Sequence, residues 1–110
     1  MVKGRVALLG DAGHSTTPDI GQGGCAALED AVVLGQCFAE EDSIELALAE
    51  YNDARVDRVK DLVLKARARC DVTHGYHPET TQAWYDELRS ETGEGIMKGL
   101  SKTILGGPLG

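Results

Sequence analysis

The residues best suited to chemistry lie together near the N-terminus. Gly10-Asp11-Ala12-Gly13-His14 follows an apolar run, and Pro18-Asp19-Ile20-Gly21-Gln22-Gly23-Gly24 comes shortly after. A carboxylate at the C-terminal edge of a strand, such as Asp11, can accept a hydrogen bond from a ligand hydroxyl. A glycine-rich loop that opens a helix presents backbone N–H groups, and the positive end of the helix, to an anionic or electron-rich ligand. Glycine at 10, 21, 23 and 24 lets the main chain come close to such a ligand. No Lys follows the loop, so it is not a Walker phosphate cradle. Gly21 to Ala26 matches five positions of the GxGxxG fingerprint and has Ala at the sixth, but the βαβ unit and the downstream ribose-binding acid are absent. The residues alone leave two readings open, a cofactor-facing loop and a structural turn.

Other reactive side chains read more plainly. His14 is placed to pack or cap rather than to act as a base. Gln22 fits either a ligand contact or a loop brace. Cys25 sits at a helix start, where a thiol pKa can fall, but a buried and inert thiol is the simpler expectation. His74 and His77 are too few for a metal site. Arg55, Arg58, Lys60, Lys65, Arg67 and Arg69 read as a solvated face balanced by Asp53, Asp57 and Asp61, with a domain or subunit contact as the second reading. Trp84 and Tyr85 read as packing residues.

These residues need elements to hold them. Val2 to Leu9 reads as one short strand, and the unbroken run Val6-Ala7-Leu8-Leu9 suits a strand covered on both faces. The glycines, Pro18, Ser15, Thr16 and Thr17 of the next stretch argue against regular structure. A helix is expected from Gly24 or Cys25, with Ala27, Ala31, Leu34 and Phe38 at helical spacing and Glu29 and Asp30 near its positive end. Glu40-Glu41-Asp42 ends it. Asp42 and Glu45 have capping-box spacing. A long helix should follow to about Val72, with Ile44, Leu48, Tyr51, Val59, Leu62, Ala66 and Cys70 on one stripe and Arg55 as its polar interruption. After a turn at residues 74–77, Pro78 suits the first position of a third helix, which Gly93 can end. Ile96, Met97, Leu100 and Ile104 suggest a last helix, closed by Gly106-Gly107-Pro108. The elements divide into a strand–loop–helix part, residues 1–40, and a helical part, residues 41–110. A single strand makes no sheet alone, so its partners are expected elsewhere.

Composition removes several function classes. The chain has 110 residues, enough for one small domain, and a net charge of −7. That charge argues against a backbone-driven nucleic-acid binder. No apolar run approaches the roughly 20 residues of a membrane span, and no signal-peptide pattern opens the chain. The cysteines Cys25, Cys37 and Cys70 form no CxxC pair, which fits free thiols in a reducing cytosol.

A longer pattern joins these features. Gly4-Arg5-Val6-Ala7-Leu8-Leu9-Gly10-Asp11-Ala12-Gly13-His14, Pro18, Gly21-Gln22-Gly23 and Glu29-Asp30-Ala31 strongly resemble the second FAD motif of the single-component flavoprotein hydroxylases. That motif reads roughly GRVxLxGDAAHxxxPxxGQGxxxxxEDA, and Gly13 is the one departure within its GDAAH core. The stretch from Arg67 to Gly75 and the ending Thr103 to Gly110 look like the urate-hydroxylating branch of the family. The resemblance implies an α/β fragment, mostly helical: one strand, a Gly-rich FAD loop, then three or four helices, forming the C-terminal piece of a Rossmann-like FAD domain. It implies FAD contacts at Gly10, Asp11, Pro18, Gly21, Gln22, Gly23 and Gly24. Asp11 would meet a ribityl hydroxyl, Pro18 the space before the isoalloxazine ring, and Gly21 to Gly24 the pyrimidine end. NADH or NADPH would be co-substrate and O2 the oxidant, with urate or a related aromatic compound as substrate. No residue of this chain is expected to be a catalytic acid or base, and none to hold a metal. The family's GxGxxG unit and substrate region would lie upstream of Met1, so the chain is expected to work only with that missing part, in cis or in trans. The other reading is a non-catalytic helical remnant serving as an interaction module.

Overall fold

The computed structural model describes residues 1–108. Leu109 and Gly110, the last two residues of the C-terminal stretch quoted above, lie outside the described residues. The chain is mostly helical, as the family resemblance implies. It forms two compact units, residues 1–67 and 68–110, with the boundary inside a helix.

The first unit opens with a hairpin instead of one strand. β1 (Val2–Lys3) pairs antiparallel with β2 (Val6–Ala7), in the register Val2↔Ala7 and Lys3↔Val6. Gly4, at φ 59, reverses the chain between them, a left-handed conformation open to glycine at little cost. Val6 is 63% exposed and Leu8 43% exposed, so the apolar run expected to be covered on both faces is not covered within this chain. The only sheet among the described residues has these two strands.

The loop is also more regular than its glycines suggest. One helical turn, α1 (Asp11–His14), follows Gly10, and a 3-10 turn forms at Pro18–Ile20. Then comes α2 (Gly23–Glu40). Its buried face is Ala26, Glu29, Asp30, Val33 and Cys37. The expected stripe is rotated outward: Ala31 and Phe38 are exposed and Leu34 only half-buried. The reason is the buried acidic pair, which the rest of the unit draws inward.

α3 (Ile44–Thr73) begins one residue after Ser43, whose hydroxyl accepts a hydrogen bond from the Leu46 N–H at 3.3 Å. The cap is thus Ser43, not Asp42. The middle of the α3 stripe is as expected, with Leu48, Tyr51, Val59, Leu62 and Ala66 buried and Arg55 among them; at its ends Ile44 is exposed and Cys70 half-buried. Val33 and Cys37 of α2 pack with Ala47 and Tyr51 of α3 to form the core, and Met1, Val2, Ala7 and Leu9 lie against it.

In the second unit, α3 ends at a turn where Gly75 takes φ 71 and the Tyr76 N–H reaches the Asp71 carbonyl at 3.1 Å. His74 donates through Nδ1 to the Cys70 carbonyl at 2.9 Å. α4 (Pro78–Ser90) starts with His77 as its cap and Pro78 in its first turn. The buried Thr81 hydroxyl donates to the Val72 carbonyl at 2.7 Å. Trp84 stacks near Tyr85 and lies under the Arg69 guanidinium, 5.5 Å from the ring centre. Gly93, at φ 91, caps the start of α5 (Glu94–Leu105) rather than the end of α4. No described helix is long and apolar enough to cross a membrane.

Candidate cofactor site

The site begins with Gly10. Its backbone (φ 55, ψ −140) is one that L side chains rarely adopt, and a Cβ there would lie 3.1 Å from the Ala27 Cβ of α2. Only glycine lets the chain leave β2, turn into α1 and still touch α2. The Gly10 carbonyl accepts from the N–H groups of Gly13 and His14, each at 2.9 Å, which closes the α1 turn. Asp11, the first residue of that turn, is exposed.

Beyond α1 lies a cleft of about 330 Å³, lined by Asp11, Thr16, Thr17, Pro18, Gly21, Gly23 and Gly24. Five of the seven residues expected at the cofactor meet there. Gly10 and Gln22 do not line it. Gly10 is buried behind α1, and Gln22 occupies the position before α2, where its carbonyl accepts the Ala26 N–H at 2.8 Å. Gly21, at φ 63, closes the 3-10 turn by donating to the Pro18 carbonyl at 3.0 Å. A Cβ on Gly21 or Gly24 would meet no atom within 4 Å, whereas one on Gly23 would press on Thr16 at 3.3 Å. Among the described residues no side chain caps the start of α2. The first amides of a helix have no partner within it, so the positive end of α2 opens on the cleft. The Thr17 hydroxyl oxygen is buried and has no hydrogen-bond partner among the described residues.

Behind the cleft is a buried ionic network. Asp30, wholly buried, accepts the Gly10 N–H at 3.0 Å and the His14 Nε2 proton on Oδ2, and Arg55 Nε at 2.7 Å on Oδ1. Arg55, 1% exposed, also donates through Nη2 to Glu29 at 2.9 Å and to the Ala26 carbonyl at 3.3 Å. Arg58 forks onto Glu29 at 3.0 and 3.3 Å. Burial pushes both carboxyls up, but hydrogen bonds prevail. Those from Arg58 and Arg55 hold Glu29 below its ordinary value, and those from His14, the Gly10 amide and Arg55 do the same for Asp30. Burial and the Asp30 charge push the Tyr51 hydroxyl up to about 12. It stays protonated and donates to the Leu8 carbonyl at 2.9 Å.

The basic middle of α3 is therefore not uniformly a solvated face: Arg55 and Arg58 turn inward to the acidic pair. Charges this deep are kept only with partners, and Glu29 and Asp30 supply them. The sequence carried a signal for this, since Arg55 is the one charge on an otherwise apolar stripe. His14 is packed inside, as expected, and its donation to Asp30 is an addition. Cys25 is exposed, against the expectation of a buried thiol, because α2 turns Ala26 inward instead.

A turn that presents a carboxylate, a glycine-lined cleft and an open helix N-terminus form a wall able to receive a polar, electron-rich ligand. The model of the FAD binding domain family matches residues 1–66, and the chain belongs to that family. The match coincides with the first compact unit.

The whole chain is 68% identical to an FAD-dependent urate hydroxylase of Klebsiella pneumoniae and covers 29% of that protein. It is 59% identical over 109 residues to an FAD-dependent urate hydroxylase of Mycolicibacterium vanbaalenii, covering 98% of this chain and 28% of the relative. Its structure superimposes on the crystal structure of Klebsiella pneumoniae HpxO complexed with FAD and uric acid. The TM-score is 0.96 at 68% identity, covering all of this chain and 28% of the other. The chain thus spans less than a third of the length of these relatives.

Proposed function

We propose that this chain forms the ribityl and pyrimidine wall of the FAD site in a flavoprotein monooxygenase that hydroxylates urate to 5-hydroxyisourate with NADH or NADPH and O2. The observation that carries the reading is the convergence of Asp11, Pro18, Gly21, Gly23 and Gly24 on one cleft at the open end of α2. Identity of 68% to a urate hydroxylase supports the substrate.

The residues present fit the cofactor. Gly21 and Gly24 leave open space where side chains would intrude, and the Thr17 hydroxyl in the cleft wall has no hydrogen-bond partner among the described residues. Asp11 would accept a hydrogen bond from a ribityl hydroxyl. The backbone amides of Gly23 and Gly24, with Gln22 before them, would face the pyrimidine end, and Gly10 would hold the turn beneath. FAD, when bound, supplies the redox chemistry between NAD(P)H and O2. This chain's part is to bind, to orient, and to place the positive end of α2 where negative charge develops. No acid or base of this chain takes part. The remainder of the enzyme supplies the ADP and substrate sites, in cis or in trans, in the cytoplasm.

The test is a segment-swapped enzyme, in which this chain replaces the matching part of the Klebsiella pneumoniae relative. It should incorporate FAD and oxidise NADH in response to urate. A swapped enzyme that folds yet holds no FAD would sink the reading. It would favour the alternative of a helical interaction module, to which the exposed Leu28, Val32 and Phe38 of α2 lend themselves. The chain alone should not bind FAD at micromolar concentration in a flavin-fluorescence titration.

A further inference from the structure

A four-residue helical turn does not hold itself together in water, yet α1 carries Asp11, the side chain that faces the cleft. Two carboxylate oxygens of Asp30 account for its order. Oδ2 grips the turn at both ends, through the Gly10 N–H before it and the His14 side chain at its close. Oδ1 is held by Arg55. Arg55 reaches at the same time to the Ala26 carbonyl and to Glu29, on the turns of α2 just beyond Gly23 and Gly24. One guanidinium is thus tied to both walls of the cleft: to the Asp11 wall through Asp30, and to the glycine wall directly. None of these groups lines the cleft.

We propose that Asp30 and Arg55 are positioning residues for the cofactor, a buried pair that sets the separation between the Asp11 carboxylate and the N-terminus of α2. The proposal rests on the reading of this cleft as an FAD wall. It differs from a purely structural role in one respect: loosening the pair should cost cofactor affinity beyond what equal destabilisation elsewhere costs.

The experiment compares three variants of the segment-swapped enzyme. Asp30→Asn keeps the shape but weakens all three bonds. Arg55→Lys keeps the charge but loses the fork that reaches Asp30 and Ala26 together. Leu62→Ala, in the buried stripe of α3 and not itself part of the ionic network, serves as a control for stability. Each apoprotein is melted, and each is titrated with FAD by flavin fluorescence, with the absorbance envelope of the bound flavin recorded. Asp30→Asn and Arg55→Lys should bind FAD at least about tenfold more weakly than Leu62→Ala at a matched fraction folded, a difference of about 1.4 kcal/mol, and shift the bound-flavin spectrum. If Asp30→Asn does not fold, Arg55→Lys carries the same comparison. Equal FAD affinity in the folded fractions of all three would overturn the proposal. Failure of the unsubstituted swapped enzyme to hold FAD would instead overturn the underlying reading of the cleft.

Discussion

Replacing Arg55 with Met keeps the length of the side chain and removes its charge and donors. Three contacts go: to Asp30 at 2.7 Å, to Glu29 at 2.9 Å and to the Ala26 carbonyl at 3.3 Å. Asp30 is left wholly buried with its negative charge and, among the described residues, the Gly10 amide and His14 as its remaining donors. Breaking a buried ion pair from one side costs about 3–5 kcal/mol. Because Asp30 keeps two donors and Glu29 keeps Arg58, about 3 kcal/mol is expected. That is a large part of the roughly 5–15 kcal/mol available to a domain. Urea unfolding of the chain, followed by far-ultraviolet circular dichroism, measures it. The double variant Arg55→Met with Asp30→Asn should lose less than the sum of the single losses, since the residues touch and couple by about 0.5–3 kcal/mol. A loss below about 1 kcal/mol for Arg55→Met, or strict additivity in the cycle, would refute the view that this pair holds the unit together.

Other outcomes follow from the same geometry. Gly10→Ala should cost about 1–3 kcal/mol from its backbone conformation alone, with the Ala27 contact adding to it; a urea midpoint equal to the parent's would contradict this. Gly24→Ala should separate stability from binding. It adds a side chain in open space on a helix, gaining about 0.4–1 kcal/mol, while weakening FAD in the segment-swapped enzyme; unchanged flavin affinity would count against the cleft. The folded pKa values of Glu29 and Asp30 lie below their ordinary values of 4.5 and 3.8. Their contribution to stability is therefore complete above those values and is lost as pH falls through the lowered ones. Urea midpoints should hold steady above about pH 5 and drop in acid, and Asp30→Asn should flatten that acid limb; an equally steep limb would exclude Asp30 as its source.

Local signals carried the parts of this structure that depend on local physics. Pro78 marked the start of α4, and the stripe from Leu48 to Ala66 gave the buried face of α3, because periodicity reports which side of a helix meets a core. The hairpin left no signal beyond Gly4, because a short apolar run reads the same in one strand as in a turn's second arm, and the positive φ of Gly4 makes the reversal. The buried face of α2 departs from its hydrophobic spacing because its strongest buried interaction is ionic. Glu29 and Asp30 looked like helix-start acids, and only their pairing with Arg55 and Arg58, more than twenty residues away in sequence, draws them inside. Long-range charge pairing leaves no period to read. The cleft was legible in its glycines and Asp11, whereas the scaffold that holds it was not.

Asp11 offers the most direct test of the flavin wall, because it is exposed and changing it should leave the fold intact. In the segment-swapped enzyme, Asp11→Ala should melt within about 0.5 kcal/mol of the parent and bind FAD about tenfold or more weakly, as fits the loss of a charged hydrogen bond worth about 1.5–3 kcal/mol. An Asp11→Ala enzyme that keeps the parent's FAD dissociation constant would contradict the assignment of this cleft to the cofactor.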